Sequence, residues 1–582
     1  MLNSRLQKLG FYLFLHWRQV FLGIVALFIV NALGVYIPLL IRDNIDKLKQ
    51  EFDFQQLSNY VLAILVFSSI MWVIRMLSRL LIFGVGRQVE IGLKQKIFEH
   101  LLTLEPAYFA LNTFGDLMSR ATSDVDNIRR LLGFAVLSLA NIIFAYGLTL
   151  PAMLSIDPFL SVAALAVYPL MLILVQLFSG KLQTQQKDVQ ERLADLSELI
   201  QEDISGIVPI KIYAQEEQER LAFEQKNHKL LQANLKLVRT RTTLFPLVEG
   251  LANVSTLILL ALGSGAIARG QISIGEFVTL IIYSGNLVFP TALLGFTIST
   301  YQRGEVSIDR VEAIFQAEAK IKDRGEAISL PVDRVKGEIV ARHLSYTYPD
   351  AKIPALSDVN FTIHPGETIA IVGSIGSGKS TLANVIPRLL NIEPGQLFLD
   401  GYDITQIKLA DLRSAIAFVP QESFLFSTTI KNNIRYGEPT LEGIKIEESA
   451  RTAQIHAEIA NFPQQYETIV GERGITLSGG QRQRTSLARA LTIDAPVVIL
   501  DDALSSVDNQ TATAILKNLS DRVYRKTVIF ISHQLSAAAN ADRILVMDRG
   551  AIVQSGTHQQ LLQEPGLYQS LWQQHQLKEN IN

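Results

Sequence analysis

The sequence predicts a multidomain chain: an all-α bundle of six transmembrane helices that run on as long cytoplasmic helical extensions, followed by an α/β domain. Three observations predict it. Hydrophobic residues make up 48% of the 582 residues and charged residues only 19%, below the roughly 25% of an average soluble domain. Apolar stretches near the ~20 residues that cross a bilayer recur at Val20–Ile41, Tyr60–Phe83, Gly133–Leu154, Pro158–Phe178, Phe245–Ala268 and Phe277–Tyr301. After Arg310 short apolar runs replace them, at Gly337–His343, Thr368–Val372, Ala415–Val419, Val497–Leu500 and Thr527–Ile531. Helical stretches separate these runs, the alternation expected of buried strands in an α/β domain.

Arg5, Lys8 and Arg18 precede the first apolar run, and no small-residue cleavage pattern follows it. A retained first helix with a cytoplasmic N-terminus is therefore expected rather than a removable signal peptide. The connections alternate. Ser155–Asp157 and Arg269–Gly275 are short, whereas Gly84–Leu132 and Gly180–Leu244 are long, polar and rich in Lys and Arg, which puts them on the cytoplasmic side by the positive-inside rule. Gln183–Leu237 carries Leu, Ile and Ala at helical spacing among charged and amide residues, with Gly or Pro only around Ser205–Pro209, so the helices should continue beyond the bilayer. The expected organisation is residues 1–316 as transmembrane domain, 317–335 as a polar linker and 336–582 as the α/β domain. A net charge of −2 gives no global basic field for nucleic acid. With no cysteine in the chain, disulfides, thiolate metal sites and cysteine nucleophiles are excluded.

The strongest local signal is Gly373-Ser374-Ile375-Gly376-Ser377-Gly378-Lys379-Ser380, between the strand Thr368–Val372 and the helical run Thr381–Leu390. This is the strand–loop–helix setting of a P-loop. Its glycines let backbone N–H groups close around phosphates, and the helix N-terminus adds a favourable dipole. Lys379 is expected to reach the β- and γ-phosphates of ATP, and Ser380 to ligate Mg²⁺. A second apolar run, Val497–Leu500, ends in Asp501 and Asp502; Asp501 would stand beside the P-loop and hold the Mg²⁺ hydration shell.

Leu477-Ser478-Gly479-Gly480-Gln481 resembles the signature sequence of ATP-binding-cassette (ABC) proteins. The resemblance extends over the cassette. Tyr348 resembles the aromatic that stacks on adenine, Gln421 the Q-loop residue that touches Mg²⁺ and senses the γ-phosphate, Ser505–Asp508 the D-loop, and His533 the switch histidine. Gly471-Glu472-Arg473-Gly474 resembles the segment that couples the cassette of exporters to the membrane part. In the membrane half, Gly115–Arg120 with Asp124-Val125-Asp126, Ser205-Gly206-Ile207 with Ile210-Lys211 and Glu216, and Gln302-Arg303 with Ser307 and Arg310 resemble segments of ABC exporters. The family implies short coupling helices, here near Tyr108–Thr113 and Ile210–Tyr213. It also implies that Ser478, Gly479, Gly480 and Gln481 close over ATP held by a second half-transporter, alongside the nucleotide contacts of Gly373, Ser374, Gly376, Ser377, Gly378, Lys379, Ser380 and Thr381. The function implied is ATP-driven efflux by a multi-pass protein of the bacterial plasma (inner) membrane, with the cassette in the cytoplasm.

One position departs from the family pattern. Hydrolytic cassettes mostly carry Glu after the strand-end Asp, to orient and polarise the attacking water; this chain has Asp502. A misplacement of about 1 Å in such a site can cost on the order of a hundredfold in rate, so this chain's site is expected to bind ATP and hydrolyse it slowly. Leu500–Ser505 resembles the degenerate-site subunit of heterodimeric multidrug-type exporters. A homodimer in which Asp502 works after slight repacking remains the alternative, as does an ABC-type sensor or gated channel that uses ATP binding without pumping. The weakly charged spans suit an amphipathic, drug-like or lipid-like substrate among membrane lipids. Arg75 and Arg79 in the second span and Glu249 in the fifth either mark a pathway or snorkel towards the interface.

Overall fold

The computed structural model describes residues 10, 12–48, 54–323, 325, 327–349, 351–471, 474–520 and 526–581. Arg5, Lys8, Glu472 and Arg473 lie outside the described residues. The chain forms two compact units, residues 1–102 with 112–317 and residues 103–111 with 318–582.

Among the described residues of the first unit, six helices are long and apolar enough to cross a membrane: α1 (Trp17–Lys47), α2 (Phe54–Leu101), α4 (Phe114–Ile156), α5 (Pro158–Ser205), α7 (Glu216–Ala268) and α8 (Ile274–Phe315). Two short helices lie between them in sequence, α3 (Pro106–Leu111) and α6 (Ile207–Ile212). The 53 residues of α7 rise about 80 Å at ~1.5 Å per residue, far beyond a hydrocarbon core of about 30 Å. The extensions anticipated from the polar connections are therefore continuous helix. α3 and α6 begin two to three residues before the positions expected of the coupling helices. Pro106 supplies a favourable first helical residue for α3, and Thr113 is already the N-cap of α4, its hydroxyl accepting from the Asp116 N–H.

Local chemistry sets the helix junctions. Asp157 joins α4 to α5 as a single-residue break: its carboxylate accepts from the Leu160 N–H at 2.9 Å, and Pro158 occupies the first helical position. Ser273 and Glu276 form a capping box at the start of α8. The Asp46 carboxylate of α1 binds the same end, accepting from Ser273 Oγ at 2.5 Å and from the Gly275 N–H at 2.9 Å. A Cβ at Gly275 would stand 2.4 Å from the Arg42 carbonyl, so only glycine allows this approach.

α4 is not uniform. Residues 120–124 and 131–135 form π turns, each holding one more residue than an α turn. Here the charged segments noted in α4 and α8 meet. Arg310 pairs with Asp116 at 2.7 Å and Asp124 at 3.0 Å, and Arg120 pairs with Asp116 at 2.7 Å. Ser307 Oγ donates to Asp124 at 2.8 Å and accepts from Asn127 at 3.1 Å.

In the second unit, a four-stranded antiparallel sheet has the order β2 (Leu356–Ile363), β1 (Ile339–Tyr346), β4 (Leu397–Leu399), β5 (Tyr402–Asp403). A six-stranded sheet has the order β10 (Ala551–Gly556), β9 (Arg543–Asp548), β3 (Thr368–Gly373), β8 (Thr527–Ile531), β7 (Val497–Asp501), β6 (Ile416–Val419). All of its pairings are parallel except β9 with β10. β7 and β8 are buried along their whole length, which is why they are near-continuous apolar runs rather than alternating ones. Within the connector, Ile328 bridges Ile407, the Leu330 N–H donates to Asp411 at 2.9 Å, and Leu330 and Val335 are buried in the core.

Candidate nucleotide-binding site

In a parallel sheet, ligand sites form beyond the carboxyl ends of the strands. Three neighbouring strands supply this one: β3 leads into Gly373–Ser380, β7 ends at Asp501 and Asp502 follows, and β8 leads to His533. Register brings them level, with Asp501 opposite Ile531 and Ile371 opposite Ile531.

The loop is shaped by its glycines. Gly373, Gly376 and Gly378 have φ of 152°, 80° and 95°. A Cβ at Gly373 would fall 2.0 Å from the Met547 carbonyl oxygen, and one at Gly378 would fall 2.4 Å from that of Ala355. Gly378 is the N-cap of α9 (Lys379–Val385), so the loop closes directly onto a helix N-terminus. Ser374 Oγ donates to Asp548 at 3.0 Å and ties the loop to β9. Lys379 turns back over it: Nζ donates to the carbonyls of Gly373 at 3.0 Å and Ser374 at 2.7 Å, with Ser377 Oγ at 3.4 Å. Burial pushes the Lys379 ammonium below its ordinary pKa, against the pull of Asp502 and Asp501.

Ser380 Oγ donates to Asp501 Oδ1 at 2.9 Å. Burial lifts the Asp501 carboxyl above the ordinary carboxylate range; the Ser380 hydrogen bond opposes the shift and the neighbouring Asp502 adds to it. Two oxygens at adjacent corners of an Mg²⁺ octahedron with ~2.1 Å bonds stand roughly 2.9 Å apart. Ser380 and Asp501 thus fit Mg²⁺ in donor type and in spacing, directly or through water. The Tyr348 hydroxyl lies 3.3 Å from Thr381 Oγ1, and its half-exposed ring meets Tyr346 edge to face at 5.0 Å between centroids.

Asp502 adopts left-handed backbone, φ 48°. Its N–H donates to the Ile531 carbonyl at 3.1 Å; its own carbonyl accepts from Ser505 N at 3.2 Å and Ser505 Oγ at 2.9 Å. Burial pushes its carboxyl up, opposed by the nearby His533 and by Ser505. His533 is exposed and lines a cavity of about 180 Å³ with Gly373, Leu571 and His575.

Gln421 and Gly479 of the signature segment belong to a separate wall. Gln421 is exposed and lines a cleft of about 520 Å³ with Gly479, Arg482, Gln483 and Ser506. Ser478 caps α10 (Gly479–Leu491) in a capping box with Gln481: Ser478 Oγ accepts from Gln481 N at 3.2 Å and Gln481 Oε1 from Ser478 N at 2.9 Å. A Cβ at Gly480 would stand 2.7 Å from the Ser506 carbonyl oxygen. The P-loop, Asp501, Asp502 and Tyr348 are therefore gathered at one place, while Gln421 and Gly479 line a second cleft and Ser478, Gly480 and Gln481 share the helix end with Gly479.

Sequence reasoning missed Gln483. This buried amide donates to Ser505 Oγ at 3.0 Å and to the Asp502 carbonyl at 3.5 Å, and accepts from the Ser506 N–H at 2.9 Å. It links α10 to the turn that carries Asp502. Nothing in its helical setting marks it out beforehand, although it lies two residues past the signature segment.

The model of the ABC transporter transmembrane region matches residues 20–291, and that of the ABC transporter domain matches residues 356–505. The chain is 34% identical over 576 residues to the probable multidrug resistance ABC transporter ATP-binding/permease protein YheI of Bacillus subtilis (strain 168), covering 99% of this chain and 98% of the relative. It is 32% identical to the multidrug resistance-like ATP-binding protein MdlA of Escherichia coli (strain K12), covering 98% and 96%. It is 33% identical to the ATP-dependent lipid A-core flippase of Syntrophus aciditrophicus (strain SB), covering 96% and 92%. The fold is similar to that of a bacterial Atm1-family ABC exporter with ATP bound, with a TM-score of 0.78 at 24% identity over 96% of this chain and 99% of the other. With its membrane region and its ATP-hydrolysing domain fused in one polypeptide, this chain belongs to the ABC transporters as a multi-pass half-transporter of the exporter type.

Proposed function

We propose that this half-transporter works as one subunit of a heterodimeric exporter that moves amphipathic, drug-like or lipid-like molecules across a bacterial plasma membrane, and that the ATP site on its own P-loop is the slow one. The observation that carries the slow site is the tethering of Asp502. Its N–H, its carbonyl and the following turn are all hydrogen-bonded, so the backbone is not free to advance and make up for the methylene that Glu would add. The bacterial relatives, multidrug resistance proteins and a lipid A-core flippase, support the substrate class and the membrane.

In this reading Tyr348 offers its ring face to adenine. The amides around Gly373, Ser374, Gly376, Ser377 and Gly378, with Thr381 at the start of the helix, cradle the phosphates, and Lys379 leaves its loop carbonyls for the β- and γ-phosphate oxygens. Ser380 and Asp501 would hold Mg²⁺, which when bound would neutralise charge on those oxygens, and Gln421 would reach it only by moving in from its own cleft. Asp502 accepts a proton from the attacking water and His533 contacts the γ-phosphate. Ser478, Gly479, Gly480 and Gln481 complete the partner's site. Closure driven by ATP requires the closed state to bind ATP more tightly; moving from 1:99 to 99:1 needs about 5.5 kcal/mol.

Isolation from native membranes tests the proposal. The expected co-purifying protein is a different half-transporter with Glu after its strand-end Asp, and blocking that partner's P-loop lysine should remove most turnover. A homodimer that hydrolyses ATP at the ordinary ~1–100 per second of phosphoryl-transfer enzymes would overturn it.

A further inference from the structure

The membrane unit contains a cavity of about 690 Å³ whose walls come from α1, α2, α4 and α8. Its volume lies in the ~300–1,000 Å³ range of small-molecule sites. Two arginines of α2, Arg75 and Arg79, line it. They are four residues apart in sequence and so share one helix face. No carboxylate lines the cavity, and neither arginine has an ion-pair partner among the described residues. Among the described residues, Arg75 makes a weak hydrogen bond to the sulfur of Met71 at 3.7 Å.

The polar remainder is neutral. Asn31 of α1 donates to Asn141 of α4 at 3.1 Å and to the Leu27 carbonyl at 2.9 Å, and both amides line the cavity with Asn286 of α8. Three phenylalanines, Phe83, Phe134 and Phe289, contribute apolar wall. Arg75 lies eight positions inside the apolar stretch that ends at Phe83, about 12 Å along the helix. Two like charges on one face of a membrane span, with no carboxylate partner among the described residues, call for an anion from elsewhere. A planar guanidinium is the side chain best suited to phosphate, sulfate or carboxylate.

Building on the exporter function proposed above, we propose that this cavity is the transport site and selects anionic amphipaths: the acidic head group sits on Arg75 and Arg79, and the apolar portion lies along the phenylalanine wall. Cationic amphipaths are disfavoured by the same two charges.

The test uses the full-length protein together with the half-transporter that co-purifies with it, in phosphatidylcholine nanodiscs, and two probes with the same dansyl-dodecyl tail, one ending in phosphonate and the other in trimethylammonium. Fluorescence anisotropy should show the phosphonate bound at least tenfold more tightly. In R75Q/R79Q the difference should vanish, and in R75K/R79K it should persist. Equal affinities, preference for the ammonium probe, or unchanged phosphonate affinity in R75Q/R79Q would overturn the assignment. Adding phosphatidylglycerol to the nanodiscs separates the sources of the anion: displacement of the phosphonate assigns the site to a two-chain lipid, retention to a single-chain amphipath, and both support an anionic occupant. ATP-driven uptake of the ammonium probe alone into inside-out vesicles overturns this inference and leaves export standing. Tight, arginine-dependent phosphonate binding without ATP-driven uptake supports the site and overturns export.

Discussion

Replacing Asp502 by Glu tests whether the site on this chain's P-loop is slow, as proposed, for want of reach. The backbone at 502 is held by the Ile531 carbonyl at 3.1 Å and by Ser505 at 2.9 and 3.2 Å, so the added methylene should translate almost wholly into advance of the carboxylate. About 1 Å of positional gain is worth on the order of a hundredfold, or roughly 2.7 kcal/mol of barrier. An opposing cost falls on stability. Position 502 has φ 48°, a conformation that short Asp tolerates better than Glu, with a penalty of about 1 kcal/mol. For a domain of ~150–250 residues that lowers Tm by about 2–4 °C. The assay is single-turnover hydrolysis at this P-loop in the assembled dimer, with the partner's P-loop lysine replaced so that only this site turns over. Asp502→Glu should raise the rate about a hundredfold with a slightly lower Tm. A rate within threefold of wild type, in protein whose Lys379→Ala counterpart loses ATP binding, would refute the reasoning.

Burial holds the carboxyls of Asp501 and Asp502 above their ordinary values, so the folded state keeps protons that the unfolded chain has released. Stability of the nucleotide-free protein should therefore fall as pH rises from about 4 through the raised values, by at most about 1.4 kcal/mol per pH unit for each group; Asp501→Asn should flatten that slope in thermal melts. Mg-ATP at a hundred times its Kd should stabilise the protein by about 2.7 kcal/mol, seen as a rise in Tm that Lys379→Ala abolishes and chelation of Mg²⁺ reduces. Arg310→Ala leaves the buried Asp124 with Ser307 but without its cation. The full cost of breaking a buried pair is about 3–5 kcal/mol; because Arg310 is 41% exposed, about 1–3 kcal/mol is expected, and Asp124→Asn in the same chain should recover part of it in a double-mutant cycle.

Six spans, the P-loop and the strand bearing Asp501 were legible because each is a local pattern: a long apolar run, a glycine spacing, a buried strand with two acids. β2 was not, since Leu356–Ile363 has one buried face and polar residues on the other, which blurs into the surrounding turns. β10 was missed for a related reason: it is an edge strand, only partly buried. β9 is different: its buried run Ile544–Met547 is apolar like those of β3, β7 and β8, and it was passed over in the sequence. The π turns of α4 leave no compositional trace. Segments that resemble exporter motifs could be picked out singly in α4 and α8, but the meeting of Asp116 and Asp124 with Arg310 is a fact of packing between helices nearly two hundred residues apart in sequence. At the candidate nucleotide site the sequence offered residue types but not the partners those side chains have in the fold. That Lys379 rests on its own loop carbonyls, and that Asp502 sits in left-handed backbone, depends on backbone geometry to which the one-letter code is blind.

The amide of Gln483 has a consequence for how two nucleotides communicate. One side chain grips both the carbonyl behind Asp502 and the N–H of Ser506, while riding on the helix whose tip would cover a neighbour's phosphates. Any shift of the 502–506 turn that accompanied filling or emptying of this chain's own pocket would be passed to that tip through this side chain. If this chain's site is the slow one, as proposed, it would still have a task under this arrangement: by staying loaded, it would set the posture of the lid over the other.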